Sequence, residues 1–176
     1  MVAKSLRRPS HGGPIFEEAV ARLPPAPGSY WLNFALQRRL KLKVGALGSR
    51  EFLPGWYGYA GSARGPGGLR ARLGRHLLGG HRCHWHVDFL RRVEIPAGAW
   101  WCQDPAVHEH LWMEAGLRLG GSHWIPGFGA SDCACPSHFL YFEAEPSFAG
   151  MRTRLRALLS EVGSVSRALK LHRIPR

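Results

Sequence analysis

Acid is what this chain has least of among its charged residues. Twelve Asp and Glu stand against 24 Lys and Arg, a formal charge of +12 with the histidines neutral. So few carboxylates leave little to attract a cationic partner; the imbalance favours a polyanion, most often nucleic acid. Cysteine is scarce too. Four thiols in 176 residues are too few for a secreted disulfide scaffold and suit a reducing cytoplasm. Long apolar runs are missing, which excludes a membrane-spanning helix. The basic start Lys4 to Arg8 is followed by Pro9 to Gly13 and not by an apolar stretch, so it does not read as a signal segment. No internal repeat is visible.

What is present supports one folded domain. Apolar residues make up 45% of the chain, enough for a core at this length. The basic residues cluster. Residues 38–50 hold Arg38, Arg39, Lys41, Lys43 and Arg50 without an acid, and residues 64–92 hold seven arginines against Asp88 alone. Residues 145–176 hold six arginines and Lys170 against Glu145 and Glu161. Arginine predominates, and its planar fork suits bidentate contact with phosphate. A solvated basic face is the simpler alternative. An anionic membrane surface is a rival partner with little support, because no exposed apolar helix face accompanies the charge.

The pattern along the chain reads as α+β. Residues 1–13 form a flexible basic arm, 14–146 the main domain and 147–176 a basic C-terminal helical extension. A short amphipathic helix covers 14–23, with Pro14 at its start and Pro24-Pro25 as its stop. Strands are expected at 29–36, at 40–44, where apolar and basic residues alternate, and at 55–60; the three form an antiparallel meander. A helix follows at 69–78. Residues 84–92 fit either helix or strand. Asp104-Pro105, a cap followed by proline, opens a helix to about residue 119. Residues 139–142 form a last strand. Residues 151–170 form a final amphipathic helix or helix pair, in which Leu155, Leu158, Leu159 and Val162 share one face.

Tyr59-Ala60-Gly61 ends a strand, and Arg72 and His76 follow at helical i, i+4 spacing. With Gly28-Ser29-Tyr30, this set resembles the GIY-YIG nuclease superfamily. The longer pattern is more specific: Tyr57 to Ala63, His84 to Leu90, and Gly127 to Phe139 with Asp132-Cys133-Ala134-Cys135 inside it. Together these resemble a GIY-YIG-related family of bacteria and archaea, some members of which are fused to endonuclease III-type repair enzymes. The resemblance implies a small central antiparallel sheet flanked by helices. It implies a site made of Tyr30, Tyr59, Arg72 and His76, with Glu109 binding one divalent metal, or Glu114 if the register differs. Two departures stand out. A serine occupies the middle of the first motif, and the two tyrosines lie 29 positions apart, with an added strand in 37–54.

The implied activity is that of a metal-dependent endonuclease on DNA, in repair or on branched DNA, with RNA left open. The alternative is a non-catalytic nucleic-acid-binding module that keeps the fold. Magnesium or manganese would neutralise phosphate charge, Arg72 would stabilise the transition state, and a tyrosine made acidic by neighbouring cations would take a proton from water. Arg70, Arg75, His84, His86, Arg152 and Arg156 are the candidate nucleic-acid contacts. His84, His86 and Asp88 also suit a metal, although a buttressing role for His86 or Asp88 is the preferred reading. Cys133, Cys135 and His138 offer three zinc ligands, with Cys83 or Cys102 as a fourth. A hydrogen-bonded turn around Asp132 explains that stretch equally well.

Overall fold

A computed structural model describes residues 13–163 and 169–175. The basic arm expected at 1–13 lies outside them except for Gly13. Among the described residues the elements in order are α1 (Gly13–Ala21), β1 (Gly28–Leu36), β2 (Leu40–Lys43), β3 (Ser49–Phe52), β4 (Gly55–Ala63), α2 (Gly68–Leu78), α3 (His86–Arg91), β5 (Gly98–Cys102), α4 (Glu109–Leu117), β6 (Ser122–His123), β7 (Phe139–Phe142), α5 (Phe148–Glu161) and β8 (His172–Pro175). Six strands form one antiparallel sheet in the order β6-β7-β4-β1-β5-β8. The fold is α+β, as expected.

Alternation along β1 splits the interior into two cores. Tyr30, Leu32, Phe34 and Leu36 face one side and pack with Phe16 of α1, Leu69, Leu73 and Leu77 of α2, and Val87 and Leu90 of α3. Trp31 faces the other side and packs with Trp112 of α4 and Met151, Leu155 and Leu159 of α5. Helices therefore cover both faces of the sheet. Trp31 lies flat across β4 only because residue 58 is glycine; a Cβ there would sit 1.7 Å from the indole.

The expected meander is corrected. β1 pairs directly with β4, in register from Gly28↔Ala63 to Leu36↔Gly55. Between them β2 and β3 pair with each other, through a turn at Gly45–Leu47, as a separate two-stranded sheet. The alternation of Leu40, Lys41, Leu42 and Lys43 did mark a strand. Its partner is the nearby segment 49–52, for which loop closure costs least entropy.

The helix expected from Asp104-Pro105 starts later, at Glu109. Asp104 spends its carboxylate on the Ala106 amide, and its carbonyl accepts from Val107, so residues 104–107 form a local turn. Ser29 then anchors the chain. Its hydroxyl donates to the Val107 carbonyl and accepts from Trp112 Nε1 at 2.8 Å. The polar residue in the first motif is thus buried but satisfied, and it ties β1 to the start of α4.

The described residues of the C-terminal extension, 147–163 and 169–175, are built into the body of the protein. α5 closes the second core, and β8, which the sequence reading did not anticipate, pairs with β5 at the sheet edge. Val162, expected on the buried face, is 68% exposed because the helix ends at Glu161, and Met151 fills the buried stripe one turn earlier. Residues 164–168 of the expected helix lie outside the described residues. No helix among the described residues is long and apolar enough to cross a membrane.

Candidate active site

β4, α2, α4 and the glycine-rich loop before β7 meet at a cleft. Tyr59, Arg72, His84, His86 and Glu109, all singled out from sequence, line it, together with Trp85, Asp132 and His138. Tyr30 and His76 lie behind this surface, at 0% and 1% exposure.

Strand register places the two phenols on one face. Tyr59 pairs with Leu32, and Tyr30 pairs with Gly61. The Tyr30 ring crosses over Gly61, where a Cβ would meet it at 2.5 Å. That crossing brings its hydroxyl to 3.0 Å from His76 Nε2. The glycine of the second motif is the space the first motif's tyrosine occupies.

His76 is held from its other side by Asp88. Nδ1 lies 3.2 Å from Asp88 Oδ1, close but too poorly aligned for a regular hydrogen bond. Asp88 Oδ2 accepts from Arg75 at 2.9 Å and from the amides of His84 and Trp85 at 2.8 and 3.0 Å. Burial opposes ionisation of Asp88, but the close contact with the His76 ring and the bonds from the His84 amide, Arg75 and the Trp85 amide outweigh it and hold the carboxyl well below its usual range. The ionised carboxylate favours the His76 proton on Nδ1, leaving Nε2 to accept from Tyr30. Burial lowers the His76 pKa, and Arg72 and Arg75 add to this against the pull of Asp88. Arg91 fixes the end of α2 by donating to the carbonyls of His76, Leu77 and Leu78 at 2.7–3.0 Å.

Burial also raises both motif tyrosines well above the ordinary phenol value, and Arg72 only partly offsets it. This corrects the expectation that neighbouring cations make a phenol acidic here. The Arg72 guanidinium lies over the Trp85 ring, 3.9 Å from its centroid, a contact worth about 0.5–1 kcal/mol where solvent reaches it. Trp85 also packs edge-on against His76 and His84. It thus organises the arginine, and only its place between two flagged histidines pointed to it.

Glu109 occupies the first turn of α4, with Oε2 buried and without a hydrogen-bond partner. Glu114, the fallback, faces away and pairs with Arg118 at 2.9 Å, which in turn bonds Glu161. Asp132, read only as a turn residue, brings a second carboxylate to the cleft. His86 Nδ1 accepts the Gly129 amide at 2.9 Å, so a neutral His86 presents a donor at Nε2. Among the described residues His84, His86 and Asp88 do not bring their ligand atoms together as a metal-holding group, and Asp88 instead braces Arg75 and the amides of His84 and Trp85.

The remaining basic candidates are spread out. Arg75 is spent on Asp88 and on the Arg82 carbonyl, and Arg70 bonds the Leu23 carbonyl at 2.8 Å. Arg152 and Arg156 are exposed on α5, outside the cleft. Beside the cleft, His110, Cys133, Cys135 and His138 bring four ligand atoms within 4.8 Å of one another, a group able to hold a metal ion. Cys83 and Cys102 are not part of it: Cys83 lies near Arg92, and Cys102 is buried against Ser29.

These features define an α+β domain whose cleft sets a phenol, a guanidinium and two carboxylates around one space. The chain belongs to the family described as a domain of unknown function, DUF123, whose model matches residues 29–160 and so spans every cleft residue named above. No curated protein and no solved structure matches the chain.

Proposed function

We propose that the protein is a metal-dependent phosphodiesterase of GIY-YIG type that cleaves nucleic acid as an endonuclease, with DNA as its substrate. One observation carries the reading. Tyr59, Arg72 and Glu109, 50 positions apart in sequence from first to last, line a single cleft, and Glu109 keeps a buried oxygen without a partner there.

The donors Glu109 and Asp132 are hard oxygens, which fits magnesium, or manganese in its place, with water and substrate completing the shell. When bound, the ion supplies charge neutralisation at the phosphate and the leaving oxygen. The protein's own residues do the rest. Arg72, steadied by Trp85, stabilises the charge that builds on the equatorial oxygens. Tyr59, at the cleft surface and kept neutral by burial, donates a hydrogen bond that orients the phosphate or the attacking water. His86 adds a second donor. Tyr30, His76 and Asp88 form a buried chain, continued by the part-buried Arg75, that fixes α2, and so Arg72, against the sheet. The cellular setting of the proposal is the cytoplasm, on damaged or branched DNA.

A nuclease assay tests it, on duplex, nicked, flapped, branched and single-stranded DNA and RNA with magnesium or manganese. Metal-dependent cleavage that favours DNA supports the proposal. Binding without cleavage under every metal supports the second reading, a nucleic-acid-binding module. The high pKa of both phenols favours that reading, since neither serves readily as a base.

A further inference from the structure

We propose that His110, Cys133, Cys135 and His138 form a structural zinc site that staples the glycine-rich loop to the first turn of α4. The inference stands apart from the hydrolytic reading and uses none of its assumptions.

Geometry comes first. Zinc bound tetrahedrally, with Zn–S near 2.3 Å and Zn–N near 2.0–2.1 Å, sets its ligand atoms about 3.3–3.8 Å apart. The four ligand atoms here all fall within 4.8 Å of one another, and Cys133 Sγ lies 3.4 Å from His138 Nε2. The His110 and His138 rings approach to 5.2 Å between centroids. Side-chain rotations that draw the most widely spaced ligand atoms about 1 Å closer close the shell.

The chemistry agrees. Two thiolates and two neutral imidazoles balance a divalent ion, so the closed site carries no net charge into its half-buried setting. Sulfur and imidazole donors select zinc over magnesium, which takes oxygen ligands. All four cysteines of the chain are free thiols, so no disulfide competes for Cys133 or Cys135.

The fold gives the ion something to do. Residues 124–137, between β6 and β7, contain no helix or strand, a length at which a loop in a compact domain needs its own anchors. Existing anchors hold its ends: the Gly127 amide donates to the Pro136 carbonyl and the His138 amide to the Phe128 carbonyl, both at 2.7 Å. The middle, residues 131–135, gains from the metal a covalent-strength tie to His110, the neighbour of Glu109. His138 joins the same tie to β4, because its carbonyl accepts from the Ala60 amide at 3.1 Å.

The test begins with the intact wild-type chain. Metal analysis after purification should find one zinc per chain, resistant to dialysis. Replacement by cobalt should give thiolate-to-cobalt charge-transfer absorption in the near ultraviolet and the intense visible bands of a tetrahedral centre. Cys133→Ser and Cys135→Ser should abolish the charge-transfer band or halve it, and His110→Ala should weaken zinc binding at least tenfold. Cys83→Ser should match wild type. Hydrogen exchange in 127–138 should accelerate on chelation while α2 keeps its protection. A wild-type chain that takes up neither zinc nor cobalt overturns the proposal, and this result needs no variant to fold. A cobalt spectrum without thiolate absorption overturns it too, as does equal metal loss in Cys83→Ser, and unchanged exchange removes the stapling role.

Discussion

Arg72 and Glu109 are the side chains whose loss should separate chemistry from folding. Arg72→Ala is expected to lower cleavage about 10²–10³-fold, the usual effect of removing one preorganised donor. Its thermal midpoint should barely move, since it gives up only the Trp85 contact. Glu109→Gln should abolish stimulation by magnesium in the same assay. Gly61→Ala tests the packing of the two motifs. The added Cβ would strike the Tyr30 ring, and overpacking of this kind costs about 1–3 kcal/mol in denaturant titration. His76 sets a pH dependence. Tyr30, Tyr59, Asp88, Arg72 and Arg75 surround it, and its pKa is lowered in the folded state. Below about pH 6.5 the unfolded chain therefore takes up a proton that the folded one refuses, and stability falls as the pH drops. Asp88, with its pKa depressed by its bonds, adds a loss in the same direction below about pH 4. Urea midpoints from pH 8 to 5 should fall in the wild type and fall less in His76→Gln, where His86, His108 and His138, whose pKa values burial also lowers, keep part of the slope. Tyr59 and Arg72 stood out in sequence through their motif spacing, and Glu109 through the family resemblance that also allowed Glu114; their meeting in one cleft is a matter of the fold. Trp85, Asp132 and His110 did not stand out, because what assigns them is a neighbour brought in by the fold.

At the scale of elements, periodicity was readable and pairing was not. The stripe of Leu155, Leu158 and Leu159 marked α5, and those residues are buried as expected. The Asp104-Pro105 signal failed because a side chain that can cap a helix can also close a turn, and Ser29 holds the turn in place. β8 is four residues with a proline, too short for any alternation to show, and only its docking on β5 makes it a strand. The integration of α5 changes how its arginines must be probed. Removing 147–176 would strip Met151 and Leu155 from the core as well as the charge. Leu155→Ala should cost about 2–5 kcal/mol in denaturant unfolding. A double Arg152→Gln, Arg156→Gln variant should leave stability within about 0.5 kcal/mol. If both arginines meet phosphate, it should also reduce the salt slope of DNA binding by about two; an unaltered slope assigns them to solvent.

The whole molecule carries its charge unevenly on an ordinary frame. With a net +12, its affinity for any polyanion should fall steeply with salt, by close to one logarithmic unit per decade for each phosphate neutralised. Composition announced that much, but not where the charge is spent: Arg75 and Arg91 face inward and brace α2, while Arg72 reaches the cleft. The sheet ends on one side in β6, two residues long, and on the other in β8, where Pro175 has no amide hydrogen to offer and Arg173 brings a cation. Neither rim gives a neighbouring molecule a template long enough to extend. Light scattering on concentrated folded protein should accordingly show no growth of the kind that strand-by-strand addition at a sheet edge would produce.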